Sequence, residues 1–163
     1  RIVMESSLER ILKDTLDELH NIKGWIDNNK LDSKVRYLNA YSVIKASGTI
    51  EQVYKNIVFE KLSENANEHA KNYLTKQILD ASFNPGPGII QKMLQNINSN
   101  WWVELDNEFK TSKLCKQDLS SLIQLRNSIA HGNTINESID NILRYYLSSK
   151  DIMESLYNIM HSD

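Results

Sequence analysis

Residues 122–133 read LIQLRNSIAHGN, and the way this stretch is read decides the fold. On a helix, at about 100° per residue, Leu119, Leu122, Ile123, Leu125, Ile129 and Ala130 gather on one side. Gly132 then supplies a stop. Arg126 falls near the centre of this apolar stripe, while Ser120, Gln124, Asn127 and His131 form a polar strip beside it. Asn127 and His131 stand four residues apart, a spacing that lets side chains meet. A guanidinium stays charged at any working pH, and burying it without a partner is costly. The stripe around Arg126 must therefore face a carboxylate from another helix, an interface cleft, or a phosphate. In the plainest case Arg126 is a structural ion pair, and His131 merely ends the helix.

Outward from this helix, the same periodicity continues. Over residues 4–27, apolar side chains at 8, 11, 12, 16, 19, 22, 25 and 26 predict a first helix. Ser6 or Ser7 would cap it and Asn28-Asn29 would stop it. Asp32 or Ser33 would cap a second helix reaching about residue 64, with a core face of Val43, Ser47, Ile50, Tyr54 and Ile57. Gly48 lies inside that helix, where glycine costs about 1 kcal/mol relative to alanine. Close approach of another helix is the expected reason. A further helical pattern covers about 66–80, as a continuation or a separate piece. NPGPG, residues 84–88, holds both prolines of the chain and is its clearest break. Pro85 or Pro87 would open the next, short helix, IIQKMLQNI. Trp101 and Trp102 are expected to anchor a helix on the core rather than to stack nucleic-acid bases. A last long helix follows Gly132, with Asn136 as its cap. With five glycines in 163 residues, the chain lacks the turns that many short strands need. The expectation is an all-α bundle of about five or six helices, forming one domain over 1–163.

Composition removes several functions. Cys115 is the only cysteine, so there is no internal disulfide and no cysteine metal cluster, as suits a reducing cytoplasm. No apolar run nears the roughly 20 residues of a membrane span. A net charge of −2 argues against nucleic-acid binding by bulk electrostatics, so any such role rests on a local site. There is no phosphate loop, HExxH or Cys-x-x-Cys, and no cofactor is expected. Glu60, Glu64 and Glu68 repeat every four residues like a carboxylate metal face, but are expected to be a solvated helix surface.

Arg126-Asn127-Ser128-Ile129-Ala130-His131 resembles the R-x4-6-H motif of HEPN domains, including the polar residue after the arginine. Upstream, ASGTIEQVYKNIV (46–58) resembles the small-residue-then-Glu segment of the RiboL-PSP-HEPN type, and NTINESIDNILRYY resembles its final helix. The resemblance implies an all-α, dimeric bundle. Many members are metal-independent endoribonucleases of bacterial defence or toxin–antitoxin systems, and others bind RNA or nucleotides without cutting. One toxin branch carries a tyrosine two residues past the histidine. Here that position is Asn133, so regulation through that tyrosine is not expected.

Metal-free RNA cleavage uses the neighbouring 2′-hydroxyl as nucleophile. It needs a base, an acid and positive charge for the phosphorane. Histidine suits both proton roles, yet the motif offers one per chain. A two-fold homodimer would join two histidines and two arginines in one cleft. In that scheme His131 is acid or base, Arg126 holds the phosphate, Asn127 orients either, and Glu51 supports Arg126 or His131 or else forms a structural salt bridge. The rival is a non-catalytic HEPN-like module that dimerises or binds RNA or a partner protein. An antitoxin, or a larger defence protein of which this is one domain, would be a further partner.

Overall fold

The computed structural model describes residues 4–162, all the elements of which are helical. They run α1 (Ser6–Asn28), α2 (Val35–Ser63), α3 (Glu68–Leu74), α4 (Pro87–Ile97), α5 (Ser99–Lys110), α6 (Lys116–Ala130) and α7 (Ile139–Met160), and a single π-helical turn, Thr75–Leu79, extends α3. The separate α3, and a separate α5 carrying the tryptophan pair, bring the described helices to seven.

α7 is the hub. It packs against α1, α2, α5 and α6, and its buried residues run from Ile139 to Met160 around much of its circumference. Tyr146, fully buried, donates its hydroxyl to the Leu12 carbonyl at 2.6 Å and so ties α7 to α1. α1 turns Leu8, Leu12, Thr15, Leu19 and Ile26 inward, the heptad-like spacing expected of a helix with one covered face. Thr15 and Thr49 share a buried hydroxyl–hydroxyl bond of 2.7 Å between α1 and α2. The α2 core face is the one the periodicity predicts: Val43, Ser47, Ile50, Tyr54 and Ile57 are all buried. Trp101 and Trp102 are buried too.

Several local expectations change. Gly48 is exposed, and a Cβ there would meet nothing within 4 Å, so no helix approaches it closely. α1 starts behind Glu5 with Ser6 and Ser7 already helical. α2 follows Lys34, whose backbone N–H donates to Asp32 Oδ1. α7 is capped by Ser138, not Asn136: the Ser138 hydroxyl accepts from the Asn141 N–H at 3.2 Å. Pro87 takes the first turn of α4. α2 ends at Ser63, and Asn65 adopts a left-handed φ of 59°, which breaks the Glu60–Glu64–Glu68 run across two helices. Among the described residues no three His, Cys, Asp or Glu side chains converge as a metal site requires, and no helix is long and apolar enough to cross a membrane.

Glu60 has a different neighbour. Burial first, then the hydrogen bond and charge of Glu5, push its pKa from 4.5 up to about 7. Between those values the folded chain holds a proton that the unfolded chain has released, so stability falls as pH rises through this window. Glu60→Gln is expected to raise Tm by a few degrees at pH 8 and to change it little at pH 4.5. Thermal unfolding followed by circular dichroism at the two pH values checks this.

Candidate functional site

α6 enters the core and then leaves it. Leu119, Leu122 and Ile123 are buried, Leu125, Arg126 and Ile129 are half-buried, and Asn127, Ala130 and His131 are exposed. This answers how an arginine fits the apolar stripe: at Arg126 the stripe has risen to the surface. Among the described residues no carboxylate pairs with Arg126. The acid on its own helix is spent elsewhere, since Asp118 accepts from the Ser148 hydroxyl at 2.6 Å and faces Arg144 at 3.7 Å. Among the described residues, then, the half-buried guanidinium carries its charge without an acid beside it.

The end of α6 is sharply defined. Gly132 adopts φ +79°, its N–H bonds the Ile129 carbonyl at 2.9 Å, and the Asn133 N–H bonds the Ser128 carbonyl at 2.9 Å. These two bonds are a Schellman cap, and glycine accepts the left-handed turn without strain. His131 is the capping residue, exposed, and about one and a half turns beyond Arg126.

Asn127 and His131 are not joined by their side chains. They meet through the backbone, His131 N–H to Asn127 O at 3.0 Å. The Asn127 side chain instead accepts from Asn84 Nδ2 at 3.3 Å. Asn84 lies 43 positions upstream, in the strap of residues 80–86 between the π-helical turn and α4. Glu51 holds neither Arg126 nor His131. Its Oε1 accepts from Lys55 Nζ at 2.6 Å, so the structural salt bridge is the outcome. Lys55 is itself buried, donates also to the Ala81 carbonyl at 2.5 Å, and lies 4.9 Å from the centre of the Phe83 ring. Phe83 meets Tyr54 edge-on at 6.1 Å. Glu51 therefore reaches the site only through the strap, which Lys55 pins beside α6.

Three shallow cavities surround the last turns of α6. One, about 310 Å³, lies between the strap and α6, with Asn84 and Asn127 on its rim. A second, about 250 Å³, has Leu125, Ser128, Glu137 and Tyr145 in its walls. The third, about 330 Å³, places Arg36 and Tyr37 of α2 opposite Ile129 and Asn133. Arg36 donates to the Tyr37 hydroxyl at 2.7 Å and stacks on its ring at 4.7 Å, which puts a second cation near the end of α6. From there an apolar face runs along α2, with Tyr37 60%, Tyr41 46% and Ile44 43% exposed.

The sequence did not point to Asn84, Lys55 or Arg36. Lys55 had a signal, the four-residue step from Glu51 along one helix. Asn84 had only its place before a proline. A family model described as RiboL-PSP-HEPN matches residues 6–162. No curated protein and no solved structure matches the chain.

Proposed function

The chain belongs to the RiboL-PSP-HEPN family, and from that premise we propose that it is a metal-independent endoribonuclease of a bacterial defence or toxin–antitoxin system. Membership supports an RNA-cleaving or RNA-binding module. The finer reading rests on one observation: Arg126 is half-buried at the surfacing end of α6, without an acidic partner among the described residues, and on the same helix as an exposed His131.

Two such helices related by a two-fold axis would place two Arg126 and two His131 around one phosphodiester. One imidazole takes the proton from the 2′-hydroxyl as its oxygen attacks phosphorus. The other gives a proton to the departing 5′-oxygen. The guanidinium ions hold the phosphate and balance charge as the phosphorane forms. Asn127, steadied by Asn84, orients the phosphate. The products are a 2′,3′-cyclic phosphate and a 5′-hydroxyl. Residues 1–163 act as one domain in this scheme, in the cytoplasm, with RNA as substrate, a second copy as partner, and an antitoxin or larger defence protein as regulator.

The test is cleavage of a labelled single-stranded RNA mixture in EDTA, with the product ends identified. Cyclic phosphate ends support the proposal, and loss of activity in EDTA would refute it. A strict monomer by sedimentation would rule out the composite site. Arg126→Ala is expected to lower the cleavage rate about 10²-fold, the cost of removing one charge-stabilising donor, and Arg126→Lys should recover only part of it. The exposed Tyr37–Tyr41–Ile44 face favours a second reading, a non-catalytic module that dimerises or binds RNA or a partner protein through α2. That reading predicts no cleavage and an undiminished complex in Arg126→Ala.

A further inference from the structure

Two cavities share Tyr37 as a wall. The first, about 330 Å³, holds Arg36 opposite Ile129 and Asn133. The second, about 580 Å³, is lined by Ile22 and Trp25 of α1 and Leu38 of α2, with Lys34 beside them. Tyr37 is 60% and Trp25 38% exposed, in a chain whose other two tryptophans are buried. Neither Arg36 nor Lys34 forms an ion pair among the described residues. Asp32, the acid nearest to both in sequence, accepts from the Lys34 backbone N–H. Glu18, the acid in the second cavity's lining, accepts from the Tyr41 hydroxyl and stands 3.4 Å from Lys45. Two exposed aromatic side chains and two unmatched cations call for an occupant that is both flat-sided and anionic. An apolar helix would cover the rings and strand the cations, and an acidic peptide would do the opposite. A nucleic-acid strand meets both needs, because each base offers a π-face and each linkage a negative charge.

We infer that Tyr37 and Trp25 are a stacking platform for the bases of single-stranded RNA, whose phosphates meet Arg36 and Lys34. The inference rests on the ribonuclease reading for the choice of RNA as the strand. Arg36, 4.7 Å from the centre of the Tyr37 ring, lines the first cavity and not the second. A phosphate therefore falls in the first cavity and a base in the second, on either side of Tyr37. The groove starts close to His131. Ile129 and Asn133 stand two residues to either side of it, so their Cα atoms lie within about 7 Å of its own. Stacking uses the face of a base and reads no edge, so the groove is expected to take any sequence. It also answers the net charge of −2, since two local cations suffice where the protein's overall field does not attract RNA.

The test measures binding of RNA decamers, one of uridylate and one of adenylate, to the full chain carrying His131→Ala, which keeps the RNA intact. Binding should quench tryptophan emission. Adding Trp25→Phe, which keeps a ring, should abolish the quench while binding persists. Tyr37→Leu is expected to weaken both decamers about tenfold, the worth of one stacked base. Arg36→Gln should weaken them too, and lower the slope of log K against log salt by about 0.7, the mark of one lost phosphate contact on a single strand. Tyr73→Leu, at a similarly exposed tyrosine on α3, should change neither quantity. Trp25, Tyr37 and Arg36 are all exposed, so thermal unfolding should stay that of the parent. Decamers that bind without quenching Trp25, or that do not bind, leave this face to a protein partner and overturn the inference. Unchanged affinity in both Tyr37→Leu and Arg36→Gln overturns it as well. Binding that depends on both residues, in a chain whose unsubstituted form cuts no RNA, keeps the groove and removes the ribonuclease. Cleavage by the wild type, with undiminished binding in both variants, does the reverse.

Discussion

Replacing His131 with alanine is expected to cut RNA cleavage by about 10²–10⁴-fold, the usual worth of a positioned proton donor or acceptor. The fold should not register the change. His131 is exposed, its ring carries no hydrogen bond among the described residues, and its backbone N–H to Asn127 survives in alanine. Surface substitutions of this kind shift stability by about 0.5 kcal/mol or less, so unchanged thermal unfolding separates lost chemistry from lost structure. The composite site adds a further expectation. If both imidazoles of a dimer act on one phosphate, a mixed dimer with one His131→Ala chain is dead. Equal amounts of wild type and variant, allowed to exchange, should then show about half the activity of the wild type alone, because random pairing leaves half of its chains in intact dimers. Additive activity would mean that each chain works by itself.

The second large effect is on stability. Glu51→Gln removes the carboxylate from a lysine that is only 8% exposed. The ammonium keeps the Ala81 carbonyl and the Phe83 ring, but neither carries a full negative charge. Breaking a buried ion pair from one side costs about 3–5 kcal/mol. Glu51 itself is 27% exposed, so about 2–4 kcal/mol is expected here, or roughly a 5–15 °C fall in Tm. Lys55→Met alone leaves a more solvated carboxylate unpaired and should cost less. The double change Glu51→Leu with Lys55→Met removes both charges and is expected to recover much of the loss. A double variant no more stable than Glu51→Gln would show that Lys55 matters chiefly through its grip on the strap.

How much of this was legible in the sequence follows from how local each cause is. The α6 stripe, the arginine within it and the glycine stop all lie within 14 residues; the helix and its buried first half follow the periodicity, while the second half of the stripe rises to the surface and leaves Ala130 exposed. The α2 core face and the buried tryptophan pair were legible for the same reason. What escaped depends on neighbours distant in sequence. Nothing in NPGPG says that Asn84 will meet Asn127. The i, i+4 step predicted a touch between Asn127 and His131, but their side chains share no bond, and the strap claims the Asn127 amide through Asn84. The Gly48 expectation failed because an exposed glycine in a helix has no close neighbour to signal. The end of α2 was legible near residue 64, and of the two readings left open for 66–80 the separate piece holds, because Asn65 takes a left-handed turn.

The central place of α7 has a consequence for the order in which the protein comes into being. α1 and α2 leave the ribosome well before the helix that covers them both and backs α6. At about 5–20 residues per second, the nascent chain carries bare apolar faces on α1 and α2 for roughly 5–20 s before α7 emerges. When α6 follows, α2 can cover one side of it, but the side that packs on α7 stays bare. A chain that attacks RNA would thus gain a fixed Arg126 and His131 only once α7 has docked.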